Sequence, residues 1–441
     1  MFKLIRFGVS VFCIVAYSVL AHAQTIEPSV SILNKAKYFA EVGNYYEAVH
    51  ILDEYKMQYG ENLEFLKIKA RILALAGDSS GALKILKPLR ASEPSDYGLL
   101  YSETLAVAAG RNPDSLQGNL ANLSRLNPNS IDTQNISRVL RTPLKSDVST
   151  NFAFQNNSDG NSYQLVGVGA SKIYSPTFKM FAGANTMSLH ATPESGFAAT
   201  NGDHGVTYNR AWIGGKKLIN DQFEVDALAG GGSTAFHNNG VYELGINYWE
   251  GNQVNGRLSH RQDLVTVSPL AASMGILRNS NRAEINWMPD YKNTISSTLN
   301  YDTYSGSNSR WEYDLAPRHA FIRTSSFSLD LGLSGQWLGF SNPNVLGYYS
   351  PSSYSRYALT FFSYLKIDDD SGLSVFGSSG PQKGDPMTSF RMSSGVGAEY
   401  YYGIYKDLFL KIGASALDYN VNQGASYRSN NLFFSITYRG F

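Results

Sequence analysis

The chain reads as an α + β multidomain protein: a short solenoid of paired helices over residues 30–130, then a 16-stranded antiparallel transmembrane β-barrel over residues 147–441. Three observations predict this. Apolar and polar side chains alternate with a period of two through the C-terminal part. The connections there swing between short and long. The N-terminal part has a helical period overlaid by a 34-residue repeat.

The chain opens with Lys3 and Arg6, an apolar run from Phe7 to Leu20, and Ala21-His22-Ala23 before Gln24. This is the pattern of a secretory signal peptide over residues 1–23 with a small-x-small cleavage site. The run is shorter than the ~20 residues a membrane-spanning helix needs. Cys13 is the single cysteine and lies inside this segment, behind Phe12, which does not suit lipoprotein processing. The mature chain is thus expected to hold no disulfide and no thiol chemistry. Losing Lys3 and Arg6 moves the formal charge from +1 to −1. A charge so near zero implies no nucleic-acid partner.

Gly43 and Gly77 are 34 residues apart, as are Ala48 and Ala82, and Pro94 and Pro128. Glycine at a turn and a small alanine in the following helix are what two closely packed helices require, and the period resembles the tetratricopeptide repeat. By that resemblance Gly43 and Gly77 join the two helices of each repeat, and Ala48 and Ala82 let them pack. The first repeat carries Gly60 where proline is expected. In the third, Gly110 sits one residue early and no alanine matches Ala82. Such stacks present a concave surface to other proteins or extended ligands; the alternative is a cap on the barrel mouth. A polar linker over residues 131–146, containing Arg141-Thr142-Pro143-Leu144, leads to the first strand.

The strand pattern follows from side chains pointing to opposite faces in turn. Phe327, Leu329, Leu331, Leu333 and Trp337 oppose Ser328, Asp330, Ser334 and Gln336, and Val225, Ala227 and Ala229 oppose Glu224 and Asp226. A soluble sandwich also alternates, so connection length decides. Short connections fall at 175–177, 220–221, 251–253, 289–293, 324–326, 368–372 and 403–407. Longer ones fall near 190–206, 233–240, 264–280, 305–309, 341–354, 379–389 and 419–425, while the first connection, 156–161, is short for its side. Outer-membrane barrels have this asymmetry, with short periplasmic turns and both chain ends in the periplasm. The 29 Tyr and 40 Gly suit interfacial girdles and crowded strands. Leu432, Phe434, Ile436 and Tyr438 form the apolar face of the last strand, with Phe441 in the opposite phase.

The lumen phase is expected to contain Glu224, Asp226, Glu243, Arg257, Arg261, Glu284, Asp330, Arg356, Lys366, Arg391, Glu399 and Lys411, six of each sign, with Trp249, Tyr364 and Tyr401 as stacking faces for sugar rings. A balanced lumen suits a neutral or weakly charged polymer. The competing role for each charge is an ion pair across neighbouring strands.

Catalytic readings find little support. Ser259 and His260 are adjacent and so face opposite sides of a strand, which does not suit a nucleophile and its base. Asp368-Asp369-Asp370 lacks the spaced Gly and Glu of a calcium loop and reads as a solvated turn. No zinc spacing and no phosphate-binding glycine loop occurs, so neither a metal nor another cofactor is expected.

Between the eleventh and twelfth strands comes Gly347-Tyr348-Tyr349-Ser350-Pro351-Ser352-Ser353-Tyr354. It resembles the Gly-Tyr-aromatic-Ser-Pro-x-x-Tyr motif in the C-terminal barrel of cellulose synthase operon protein C, whose order is also signal peptide, periplasmic tetratricopeptide repeats and a sixteen-stranded barrel. Residues 261–276 are similar to a second loop of that family. The resemblance implies an outer-membrane exopolysaccharide export porin whose polymer is driven by an inner-membrane synthase, with the repeats meeting periplasmic or synthase partners. It implies biofilm matrix as the setting. Ser352 stands where glutamine is expected, and about three repeats stand where cellulose exporters carry many. Here Gly347, Tyr348, Tyr349, Ser350, Pro351 and Tyr354 form either a rigid fold-back gate or plain loop packing. A general diffusion porin, and a closed barrel anchoring an interaction scaffold, remain the alternatives.

Overall fold

The computed structural model describes residues 32–440 apart from 129, 131, 134–135, 138–144, 252, 291, 325, 344, 346, 369, 386, 406 and 420–426. The expected signal peptide, Arg141 to Leu144, Asp369 and Phe441 lie outside the described residues.

Among the described residues, six bounded helices come first: α1 (Ile32–Glu41), α2 (Tyr45–Tyr59), α3 (Leu63–Leu75), α4 (Ser79–Ser92), α5 (Tyr97–Ala109) and α6 (Pro113–Leu126). Five of their starts are set by a short polar side chain that accepts from the amide three residues on. Asn44 caps at Glu47, Asn62 at Phe65, Asp78 at Gly81, Asp96 at Leu99 and Asn112 at Ser115. Each such cap stabilises its helix by ~1 kcal/mol. Ala48 and Ala82 are fully buried against Phe65, Ile68 and Leu86, Leu99, which is what lets the paired helices approach. The turns between paired helices need a left-handed residue, and Gly43 (φ 80°) and Gly77 (φ 84°) supply it. In the third turn Gly110 has an ordinary φ of −79°. The left-handed residue is Arg111 (φ 54°), 34 positions after Gly77.

The remaining chain closes one antiparallel barrel. Its strands are β1 (Asp147–Asn157), β2 (Asn161–Ser175), β3 (Phe178–Ala191), β4 (Gly205–Leu218), β5 (Phe223–Ser233), β6 (Asn238–Glu250), β7 (Val254–Leu264) and β8 (Leu277–Trp287). Then follow β9 (Asn293–Tyr304), β10 (Asn308–Arg323), β11 (Phe327–Phe340), β12 (Tyr354–Lys366), β13 (Ser371–Gly384), β14 (Arg391–Tyr405), β15 (Leu408–Tyr419) and β16 (Tyr427–Arg439). Closure runs from Asp147 opposite Arg439 to Asn157 opposite Ser429. Closing the sheet removes every unpaired edge, which a lipid environment requires. Among the described residues no helix is long and apolar enough to cross a membrane. A five-residue helix, α7 (Pro269–Ser273), sits in the β7–β8 loop.

Val166, Val168, Leu244, Ile246, Leu258, Leu299, Leu333, Leu359 and Val396 stand exposed on the outer wall. Rings flank this band at both ends. Tyr174, Phe223, Trp287, Phe321, Tyr402 and Tyr438 lie toward the short turns, and Tyr301, Trp311, Tyr357 and Phe390 toward the long loops. An apolar belt between aromatic girdles is the outer surface of a membrane barrel. Two connections on the long side are shorter than the sequence suggests. Cross-strand pairing carries β9 to Tyr304 and starts β10 at Asn308, and β5 and β6 pair as far as Ser233 opposite Asn238.

Candidate functional site: the lumen and its two mouths

The register puts Glu224, Asp226, Glu243, Trp249, Arg257, Arg261 and Glu284 on the inward face of β5 to β8. Asp330, Arg356, Tyr364, Lys366, Arg391, Glu399, Tyr401 and Lys411 share that face on β11, β12, β14 and β15. What they form is chiefly a set of ion pairs. Arg257 donates to both oxygens of Asp226, at 2.6 and 2.9 Å, and to Glu243 at 2.7 Å. Arg261 pairs with Asp263 at 2.5 Å, Lys411 with Glu399 at 2.8 Å and Arg323 with Asp330 at 3.7 Å. Lys216 stands 4.0 Å from Glu224, and Arg282 pairs with Glu284. Arg356 donates to Ser378 and Ser393, each at 2.8 Å. Asp302, Arg310 and Glu312 extend the network along β9 and β10; they obey the same alternation and were legible from it. A cavity of about 330 Å³ on this wall is lined by both signs, Arg278, Arg282 and Arg310 beside Glu243, Glu284 and Glu312.

At the long-loop end the connections converge inward. Leu264 at the end of β7 and Ala272 of α7 pack on Leu189, Val206 and Tyr208, which belong to β3 and β4. Leu270 N donates to Phe197 O at 3.0 Å, and Thr200 N to Ser273 Oγ at 2.9 Å. On the other side Ser268 Oγ donates to Gly347 O at 2.6 Å. The Gly-Tyr-Tyr-Ser-Pro segment is thus a fold-back seated on the barrel wall. Gly347 has φ 95°, and a Cβ there would meet the Ala271 backbone at 3.2 Å. Tyr348 stacks on Tyr304 at 5.1 Å between centroids, and its oxygen accepts from Asn308 at 2.9 Å. Ser350 Oγ accepts from Val345 N at 2.8 Å, Pro351 O accepts from Phe340 N at 2.9 Å, and Tyr354 donates to Gln382 at 2.8 Å. Burial raises the Tyr349 hydroxyl pKa well above its ordinary value, with Asp385 adding to the effect.

At the short-turn end the helices meet the barrel. The Arg111 guanidinium lies 3.5 Å from the centroid of the Trp249 ring. A Cβ on Gly251, in the β6–β7 turn, would lie 2.7 Å from Gly77 O. Tyr45 sits close enough to Arg323 for the guanidinium to offset part of the burial that raises its pKa. The Trp249 face that sequence phase offers to a sugar is therefore covered by Arg111. His260 turns to the outer wall, where it bonds Tyr242 and Asn281, while Ser259 faces inward.

The fold class is that of outer-membrane β-barrels. A solved structure described as a bacterial polysaccharide outer membrane secretin matches with a TM-score of 0.56 at 13% identity, over 67% of this chain and 99% of that one. CdiB from Acinetobacter baumannii matches at 0.41 and 8% identity, over 67% and 60%. OccAB4 from Acinetobacter baumannii matches at 0.36 and 9%, over 67% and 97%. No protein-family model and no curated protein matches the chain.

Proposed function

We propose that this protein is an outer-membrane conduit exporting a neutral or weakly charged exopolysaccharide from the periplasm. The observation that carries this is the self-neutralised lumen: Arg257, Arg261, Glu399 and Lys411 are spent on opposite charges of the wall, leaving a polar interior with little net field to attract or repel a charged polymer. The likeness to a polysaccharide secretin supports the substrate class, and the Gly347 to Tyr354 motif favours a cellulose-like polymer. Short turns of such barrels face the periplasm, so the short turns and the helices beside them are read as periplasmic. The helices are read as a tetratricopeptide-type stack whose surface away from the barrel meets a periplasmic or synthase partner. The conduit makes and breaks no bond.

Current through the full chain in a planar bilayer tests this. Reversible, saturable block by neutral β-linked oligosaccharides, and weaker block by uronate oligomers of equal length, is the expected result. Equal passage of unrelated small solutes without saturation would make the barrel a general diffusion porin. The convergence of the β3–β4, β7–β8 and β11–β12 loops favours a second reading, a shut barrel anchoring the helical stack. A barrel that stays silent with its loops deleted would establish that reading instead.

A further inference from the structure

The lumen has two unlike walls. From β4 to β11 it is ionic, as described above. From β12 to β16 its middle is built of serine, glycine and aromatic rings: Ser374, Ser378, Ser415 and Ser435 share the inward face there, with Lys411 and Glu399 neutralising each other. Three of the inward rings are held in one way. A Cβ on Gly413 would come within 2.3 Å of Phe433 Cζ, one on Gly397 within 2.5 Å of Phe376 Cζ, and one on Gly372 within 2.3 Å of the Tyr364 hydroxyl. Each ring therefore lies along the wall over a glycine of the neighbouring strand, in the space a side chain would fill. Laid this way, a ring has its tip against backbone and its side open to the lumen, and Lys411 Nζ lies over the Phe433 ring at 5.1 Å from its centroid. All three remain partly exposed.

We propose that these glycine-seated rings, Tyr364, Phe376 and Phe433, form a stacking lane for uncharged pyranose rings, and that the polymer tracks the β12–β16 wall rather than the lumen centre. A pyranose offers an apolar C–H face that stacks on an aromatic face while its hydroxyls bond the flanking serines; a carboxylate on the sugar gains nothing from the rings themselves, and the cations Arg356, Lys366 and Arg391 stand toward the two ends of this wall. The helices add an asymmetry. Arg111 and Gly77 meet the barrel at Trp249 and Gly251, on the β6–β7 side of the short-turn mouth. This inference rests on the export reading and adds the route.

Calorimetric titration of the full chain in detergent, with a neutral β-linked glucose hexamer and a hexuronate of equal length, tests it. Each variant is first shown to migrate as a folded barrel on an unheated gel. Phe376→Ala and Phe433→Ala should each weaken binding of the neutral hexamer about fivefold, the scale of one aromatic contact. Gly413→Ala should weaken it comparably by pushing the Phe433 ring off its seat, and Phe433→Tyr should restore it. The double change Arg282→Gln, Glu284→Gln on the opposite wall should leave it within about twofold. Binding that is intact in all three weakening variants but lost with the Arg282 and Glu284 change overturns the lane and leaves export standing. Failure of the wild-type chain to bind either hexamer overturns the export reading itself.

Discussion

Arg111 and Trp249 join the two parts of this molecule: the guanidinium lies 3.5 Å from the indole centroid, although Arg111 occupies a left-handed position where the two preceding turns carry glycine. A left-handed conformation costs a side chain about 1 kcal/mol, and a desolvated cation–π contact returns ~2 kcal/mol. Arg111→Gly should therefore leave the helices as stable as before, or more stable by up to ~1 kcal/mol, while freeing them from the barrel. Spin labels on α2 and the β10–β11 turn should show a broadened distance distribution. Trp249→Ala should broaden it equally without the gain in helix stability. A distribution unchanged in both variants would show that the remaining turn contacts hold the helices alone.

Gly347 holds the fold-back loop. Its φ of 95° strains any side chain, and the Ala271 backbone at 3.2 Å crowds one, so Gly347→Ala should destabilise the seated loop by ~1–3 kcal/mol. The cost is local, because the strands do not depend on it. More frequent channel openings are expected in single-channel records, with barrel refolding unchanged. Tyr348→Ala, which removes the stack on Tyr304, should act in the same direction. If neither variant opens more often than wild type, the loop is packing and not a gate.

How much of this was legible follows from range. Strand faces are local, since lipid on one side and water on the other enforce a period of two along each segment; so Glu243, Arg257 and Lys411 can be placed inward from phase alone. The partners need the register. Arg257 meets Asp226 across 31 residues, and no alternation within β7 announces it. Loop contacts are longer still, as with Ser268 and Gly347 across 79 residues. Arg111 shows a different obstacle. The 34-residue spacing points at it, but a search for glycine stops one residue early at Gly110, since the residue type and the backbone conformation part company there.

The Arg257 network should govern barrel stability. Asp226 is 8% exposed, and Arg257→Met would leave it and Glu243 without their guanidinium, which costs ~3 kcal/mol or more for a buried pair. A lower urea midpoint for refolding into micelles, with an unchanged slope, is the expected readout. Adding Asp226→Asn should recover part of the loss, giving a coupling of ~1 kcal/mol or more. Strict additivity of the two changes would mean that water, and not Arg257, compensates the carboxylate.

The helices should carry their own acid limit. Lys67 of α3 donates to Asp96, the cap of α5, at 2.7 Å and to Glu93 at the end of α4 at 2.5 Å. Burial alone would raise the Asp96 pKa, but Lys67 and the Leu99 amide together hold it below its ordinary value. A depressed carboxylate pKa stabilises the fold above the unfolded value, ~3.9, and that stability is lost as pH falls through the folded value. Lys67, raised by its bonds to Asp96 and Glu93, contributes in the opposite sense and is lost only in strong alkali. The helical transition followed at 222 nm should therefore fall in temperature below about pH 4 while the barrel transition holds. Lys67→Met should flatten this acid limb, and Asp96→Asn should flatten it while keeping the α5 cap. An acid limb that survives both substitutions would assign it to other carboxylates of the stack.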